Sequence, residues 1–280
     1  MHFAILPPAP IRRLARQLTR GLWAAYETLA MGLGWGTFAL LCLFALPLVW
    51  VLSILPSRAW VRRMARTTIH RVFHFYLEIL RFFCSNRFDL SELDALKTAP
   101  AQVLIANHPS LMDVVLIVSR LPNVVCIMKA GLMNNILLGA AARAAGYIRN
   151  DNPRTMLFQA HAALKEGAHV LIFPEGGRTR HFPLDPFGKS AALIAKQAGA
   201  PIQTVFITCS TPYLGKHWPL WRRPALPLRW AVHAGARFDP PTHISQCTQM
   251  LEASVRAQLA PLYANSQSSP PLGVEPQPPS

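Results

Sequence analysis

Short aliphatic runs alternate with stretches of helical period through the chain beyond residue 100. Val103 to Ala106, Val124 to Met128, His169 to Phe173 and Ile202 to Cys209 each read as a buried strand. Between them, helices are predicted from Pro109 to about Arg120, Asn134 to Ala145, 153 to 166 (closed by Gly167) and Lys189 to Ala198 (closed by Gly199). A short strand is expected at Gly146 to Ile148, a last strand at Leu228 to Ala234 and a closing helix at Ile244 to Leu262. Strands alternating with helices predict an α/β domain built on a mainly parallel sheet flanked by helices.

The N-terminal third follows another pattern. Thr28 to Ser57 contains no charged residue, and 30 such positions exceed the roughly 20 helical residues that cross a hydrocarbon core. Pro47 and the glycines at 32, 34 and 36 leave a single span and a bent re-entrant hairpin equally open, and a buried core helix is the remaining reading. From Arg58 to Phe83, Val61, Met64, Thr68, Val72, Tyr76, Ile79 and Phe83 recur at helical spacing while arginines take the other positions. That is the pattern of a basic amphipathic helix lying in a headgroup layer with its aromatics inward. The division expected is an N-terminal membrane-anchoring region at 1–83, a catalytic domain at 84–262 and a disordered tail at 263–280. Asn86 to Pro100, polar and acidic, reads as the boundary into the catalytic domain.

Composition narrows the partners. The chain has 280 residues, is 51% hydrophobic and only 15% charged, yet carries a formal net charge of +15. A soluble nucleic-acid binder of that charge would be far more polar, so an anionic membrane surface or a phosphorylated lipid is the expected partner, and nucleic acid is not. Five scattered cysteines without C-x-x-C spacing suggest neither a disulfide scaffold nor zinc. His70, His74 and Glu78 have the spacing of metal ligands on a helix, but the surrounding arginines would repel a cation, and no metal is expected.

Candidate chemistry gathers at the ends of the predicted strands, where α/β sheets place their ligand crevice. Asn107-His108-Pro109 follows the first strand, and Asp113 lies five positions beyond the histidine. A neutral imidazole oriented by a carboxylate is a general base suited to a hydroxyl group. The same spacing recurs at His161 and Glu166, on what reads as a helix surface. Lys129, Arg149 and the turn Glu175-Gly176-Gly177-Arg178 end three further strands. Paired glycines let backbone N–H groups approach an anion, and arginine grips phosphate with two prongs.

N-H-P-S-L-M-D at 107–113 resembles the N-H-x-x-x-x-D block of the PlsC-type glycerolipid acyltransferases, typified by 1-acylglycerol-3-phosphate acyltransferase. F-P-E-G-G-R at 173–178 resembles their F-P-E-G-T-R block, G-Y-I-R at 146–149 the intermediate block and A-P-I-Q-T-V at 200–205 the final one. The resemblance covers about residues 85–235. It implies transfer of a fatty acyl group from acyl-CoA or acyl carrier protein, as co-substrate and without a cofactor, to a lipid hydroxyl. His108 would be the base and Asp113 its orienting partner, with Arg149, Glu175, Gly176 and Arg178 around the acceptor and its phosphate. A membrane enzyme follows, at the bacterial inner membrane with a cytoplasmic catalytic domain, of open oligomeric state. Gly177 stands where the family has threonine, and in F-G-K-S at 187–190 the glycine is displaced from the family's F-x-x-G. Both departures leave the acceptor open. The long basic aromatic helix also resembles that of subfamilies serving ornithine lipid or aryl polyene assembly, so a lyso-ornithine lipid, glycolipid or aryl polyene lipid is the alternative acceptor. A non-catalytic basic membrane-binding protein is the reading from another class.

Overall fold

A computed structural model describes residues 9–54 and 58–268. Seven strands occur in chain order: β1 (Asn86–Asp89), β2 (Val103–Ala106), β3 (Val124–Met128), β4 (Ile148–Arg149), β5 (His169–Ile172), β6 (Ile202–Cys209) and β7 (Leu228–Phe238). They form one sheet in the order β1-β7-β6-β2-β5-β3-β4. All pairs are parallel except β6 with β7. The central strands β2 and β5 are buried along their whole length, which is why they read as uninterrupted aliphatic runs.

Each strand divides its side chains between two cores. Leu104 and Ala106 of β2 join Leu116 and Ile117 on one face, where α2 (Ala59–Phe83) and α3 (Asp113–Val118) pack. Val103 and Ile105 join Ala160, Ile194 and Val255 on the other, beneath α6 (Pro153–Lys165), α7 (Ser190–Ala198) and α8 (Ile244–Ser268). At α6 Asn152 caps the helix, accepting a hydrogen bond from Thr155 N–H at 3.1 Å, and Pro153 opens it.

Several expectations need correction. The stretch read as a polar boundary contains β1, a four-residue edge strand paired with β7 and anchored by Trp230 Nε1–H donating to Asn86 Oδ1 at 3.1 Å. The helix expected from Pro109 begins only at Asp113, so His108 sits on a turn rather than at a helix start. The helix expected at Asn134 to Ala145 is α5 (Ile136–Ala144), and a short helix not expected from the sequence, α4 (Ala130–Met133), precedes it. At the C-terminus α8 continues through 263–268, into the stretch read as tail, and the rest of that stretch lies outside the described residues.

The N-terminal region is α1 (Ala9–Ile54), one helix continuous through the glycines and Pro47, so the chain does not turn back on itself as a hairpin within it. It runs antiparallel to α2: Tyr26 Oη–H donates to Phe83 O at 3.1 Å and Tyr76 Oη–H to Gly34 O at 3.3 Å. Only 11% of its most apolar window is buried, which excludes the core-helix reading. The buried face of α2 comprises Val61, Ala65, Arg66, Tyr76, Leu77 and Leu80, whereas Met64, Phe75, Phe82 and Phe83 are exposed. The aromatics therefore do not all point inward, and one arginine does. Arg66 is 3% exposed, donates to Ala145 O at 2.8 Å and Asn123 Oδ1 at 3.0 Å, and faces Glu166. Gly146 is where α2 comes closest to this region: its φ is +71° and a Cβ there would lie 2.8 Å from Arg62 Cδ.

The end of β2 is pinned to β6 by a side chain. Buried Asn107 donates from Nδ2 to Ile207 O at 2.9 Å and accepts from Ile207 N–H at 2.7 Å, prolonging the ladder past the last strand residue. Asn107→Ala leaves both Ile207 groups without partners and is expected to lower stability by about 1–3 kcal/mol, read as a drop in the denaturant midpoint.

Candidate active site

Because β2 ends at Ala106, Asn107 anchors the chain and His108 is carried out over the C-terminal edge of the sheet. Its Nδ1 is 2.7 Å from Asp113 Oδ2, and the same oxygen accepts from Ser110 N–H at 2.8 Å. With the Nδ1 proton directed at a carboxylate, Nε2 is left with the free lone pair, the arrangement a base requires. The Asp113 side chain is completely buried while that of His108 keeps 17% of its surface. Burial pushes the Asp113 carboxyl upward, opposed by the His108 hydrogen bond and by the nearby charges of His108 and Arg178. The His108 ring lies on Phe173, centroids 4.1 Å apart and planes 21° from parallel. Packing and hydrogen bonding thus fix both the position and the rotation of the imidazole.

The turn after β5 is laced to the turn after β2. Glu175 Oε1 accepts from His108 N–H at 2.7 Å and from Thr179 Oγ1–H at 3.1 Å, and its Oε2 accepts from Asp185 N–H at 2.9 Å. Thr179 N–H in turn donates to His108 O at 2.8 Å. Burial raises the Glu175 pKa against these donors. The carboxylate expected around the acceptor is therefore turned onto the protein, where it positions the histidine backbone. Gly176 has φ +68°, a conformation side chains rarely adopt, and the turn depends on glycine there. At Gly177 a Cβ would stand 3.9 Å from Lys129 Nζ, which brings that lysine from the end of β3 to the same turn. Gly188 closes the segment by donating to Pro174 O at 2.8 Å.

Arg178 spends part of its guanidinium on the protein. Nη1 donates to Leu214 O at 2.9 Å and Gly215 O at 2.8 Å. Three of its five donors have no protein acceptor among the described residues. Arg149 is elsewhere. It ends β4, three strands from β2 and so about 14 Å away along the sheet, and it pairs with Asp151 at 2.7 Å. With Arg62, Arg66 and Arg143 it lines a recess between α2, α5 and α6. The fold gathers His108, Asp113, Lys129, Glu175, Gly176, Gly177 and Arg178 and leaves Arg149 out of that group.

Three contributors escaped the sequence reading. Phe173, inside the second block, stacks on the base, and Thr179, one residue past it, locks the two turns. The segment Tyr213–Gly215 has no sequence signal, yet its carbonyls accept from Ser110 Oγ–H at 2.8 Å, from Leu111 N–H at 3.2 Å and from Arg178. Ser110 is thereby committed to backbone contacts. Among the described residues no three His, Cys, Asp or Glu side chains could share a metal ion. His70 is bonded through Nδ1 to Val118 O at 2.9 Å, and Glu166 pairs with Arg62.

Comparison with known proteins agrees with this geometry. A family model described as Acyltransferase matches residues 87–208. A 1-acyl-sn-glycerol-3-phosphate acyltransferase of Cocos nucifera is 32% identical over 49% of this chain and 45% of its own length. The chloroplastic one of Brassica napus is 28% identical over 46% and 40%. The chain thus spans less than half the length of these two plant relatives. A Pseudomonas aeruginosa 1-acyl-sn-glycerol-3-phosphate acyltransferase aligns more fully, 25% identical over 81% of this chain and 84% of its own. The crystal structure of PlsC, the 1-acyl-sn-glycerophosphate acyltransferase of Thermotoga maritima, shares the fold with a TM-score of 0.64 at 20% identity, covering 85% of this chain and 97% of that one. The two sequence blocks, the sheet that brings them together and these matches support the resemblance of the chain to the PlsC-type acyltransferases, whose fold it shares.

Proposed function

We propose that this protein moves a fatty acyl group from a thioester, acyl-CoA or acyl carrier protein, to the free hydroxyl of a lysophospholipid, with 1-acylglycerol-3-phosphate as the first acceptor to try. The observation that carries this reading is that His108 opens onto an apolar cavity. That cavity, of about 260 Å³, is lined among others by Phe38 of α1, Val72 and Tyr76 of α2, Val115 of α3 and Met128 and Leu132. A fatty chain fits such walls, and its activated carbon would lie at the imidazole.

In the reaction, His108 Nε2 takes the proton of the acceptor hydroxyl while that oxygen attacks the thioester carbonyl carbon. The tetrahedral adduct then collapses, the carbon–sulfur bond breaks, and the imidazolium returns the proton to the departing thiolate. Asp113 steadies the imidazolium and holds the tautomer, as the acid of a catalytic triad does, without any serine taking part. Lys129 and the unspent donors of Arg178 stand where a phosphate on the acceptor would be gripped, and the membrane contact of α1 and α2 delivers both lipids. A second reading of the acceptor has support in two observations. Arg149 is paired with Asp151 away from His108, and Gly177 lacks the hydroxyl of the family's threonine. An acceptor without a phosphomonoester, such as a lyso-ornithine lipid, glycolipid or aryl polyene lipid, makes less use of those groups.

A panel of lyso-lipids offered with acyl-CoA and acyl carrier protein to the purified protein separates the two acceptors. Under the first reading 1-acylglycerol-3-phosphate gives the highest kcat/KM, and a preference for an uncharged or zwitterionic lyso-lipid selects the second. His108→Ala is expected to lose about 10²–10⁴-fold in kcat with its circular dichroism unchanged; retained turnover removes His108 from the mechanism.

Asp113→Asn is expected to cut kcat as well and to alter the pH dependence of stability. The raised pKa of Asp113 means that the folded state holds this proton more tightly than the unfolded one. The contribution to stability is full below the ordinary aspartate range and declines as pH rises through the folded value. The asparagine variant should flatten that decline, measured by denaturant unfolding at a series of pH values between acid and neutral. Ala141→Phe, which fills part of the cavity wall, should slow long-chain donors more than short-chain ones in the same transfer assay.

A further inference from the structure

Between β6 and β7 the chain makes an excursion over residues 210–227 whose two ends are tied to different parts of the molecule. Its first part is held at the active site by Ser110, Leu111 and Arg178. Its last part is held by α1: Arg223 Nε–H donates to Glu27 Oε2 at 3.1 Å and Leu226 N–H to Glu27 Oε1 at 3.2 Å. Between these ties a tight turn forms, closed by Arg222 N–H to Pro219 O at 3.0 Å and Trp218 Nε1–H to Arg222 O at 2.9 Å. The guanidinium of Arg222 lies 4.7 Å from the centre of the Trp218 ring. At the tip Trp221 is 83% exposed and Leu220 52% exposed.

An indole left in water forgoes one of the largest burial gains a side chain offers, and its amphipathic ring is suited to a bilayer interface. The surroundings of Trp221 point the same way. The tip faces α1 across a recess that Thr28 and Met31 also line, next to Leu29, which is 73% exposed. Tyr26 ties the exposed Phe82 and Phe83 at the end of α2 to this level of α1. The exposed apolar side chains of the loop and of the helix pair thus lie on either side of this recess. The recess is open, has a volume of about 410 Å³ and is lined by Thr28, Met31, Trp221, Arg222 and Arg223. None of its lining residues is acidic, and the one acid nearby, Glu27, is buried and already occupied.

We propose that this recess is a headgroup site for an anionic phospholipid, separate from the catalytic centre. Arg222 and the terminal nitrogens of Arg223 hold the phosphate, Trp221 lies in the interfacial layer and Leu220 enters the acyl region. The site rests on the reading that α1 and α2 contact a bilayer. It adds to that reading a specific lipid chemistry at a position no catalytic motif occupies.

The full chain, prepared as wild type, Trp221→Phe and Arg222→Gln, is mixed with vesicles of phosphatidylcholine alone or with phosphatidylglycerol, with brominated lipids as quenchers. The wild type should show a tryptophan component that shifts to the blue and is quenched, and Trp221→Phe should lack it. Arg222→Gln should bind the anionic vesicles roughly fivefold more weakly than the wild type and the neutral vesicles equally. Inorganic phosphate at the concentration of vesicle phosphate should leave the Trp221 emission unchanged, since a free anion brings no interface; a shift with phosphate alone overturns the lipid assignment. If all three proteins bind both vesicles alike and no quenching is lost in Trp221→Phe, the site is refuted while the bilayer reading of the helices stands. If the wild type binds neither vesicle, that reading fails and the site with it. Shielding of Trp221 that grows with protein concentration and without lipid would assign the tip to a second copy of the chain and overturn the proposal.

Discussion

Two carboxyl groups, the buried Asp113 and the half-buried Glu175, hold one histidine, the first by its ring and the second by its backbone, and the rest of the site depends on that double grip. Burial raises the pKa of both acids, so each is tolerable as an anion only while its donors remain in place. The donors come from two turns, one following β2 and one following β5, and these strands are direct neighbours in register, Ile105 opposite Ile172. Neither turn can shift without leaving one of these carboxylates short of a partner. That constraint converts a flexible pair of loops into a fixed frame, and Phe173 supplies the flat surface against which the imidazole is set.

Much of this frame was legible in the sequence because its parts are local. β3 has the predicted limits because a buried parallel strand is apolar throughout and its ends show as the first polar residues, Asn123 and Lys129; β6 has them too, between Pro201 and Ser210, although it carries Gln203 and Thr204 and pairs antiparallel with β7. α7 and α6 stop at the glycines that marked them. What failed was non-local. β1 is an edge strand of sequence NRFD whose apolar alternation is too short to register, and only β7 makes it a strand. Arg66 reads as one more surface cation, yet the carbonyl of Ala145 and the side chain of Asn123, far away in sequence, give it a buried place. Arg149 ends an apolar strand as a ligand-binding cation would, but strand order, invisible in the sequence, puts β5 and β3 between it and β2. The family resemblance put Glu175 around the acceptor, whereas its oxygens accept from Thr179 and Asp185 in its own segment and from the distant backbone N–H of His108.

The helices that looked like an anchor are also part of the catalytic domain. Phe38 from α1 and Tyr76 from α2 meet at 5.4 Å and wall the apolar cavity that reaches His108. A simple tether would have no need to pack against α3 and α5, whereas Tyr76, Leu77 and Leu80 enter the same core as Leu116 and Val115. Burying these side chains contributes about 1.5–3 kcal/mol each, so α2 is held to the domain by its own core contacts. The exposed side of the pair, with Leu29, Phe44, Phe82 and Phe83, remains outside that core.

If the site consumes a thioester as proposed, the cavity and His108 together bear on the competition from water that any such site meets. A histidine able to take a proton from a lipid hydroxyl can take one from water, and hydrolysis would then waste the donor. Base strength cannot discriminate between the two nucleophiles, so discrimination must come from access. Here the Asp113 side chain is sealed, 17% of the His108 side chain remains exposed, one face of its ring is covered by Phe173, and the adjoining space is lined almost wholly by carbon. Water entering such a space forgoes its hydrogen bonds, while an alkyl chain gains contact, so the surroundings favour a hydroxyl that arrives attached to a lipid. Ser110 fits the same logic: with its hydroxyl donating to Tyr213 O and accepting from Met112 N–H, it is not free to take the acyl group itself. Under the proposed reaction the acceptor oxygen would be the nucleophile offered to His108, and its orientation by a bilayer on one side and by the turn at Gly176 to Arg178 on the other would supply the proximity that a covalent intermediate otherwise provides.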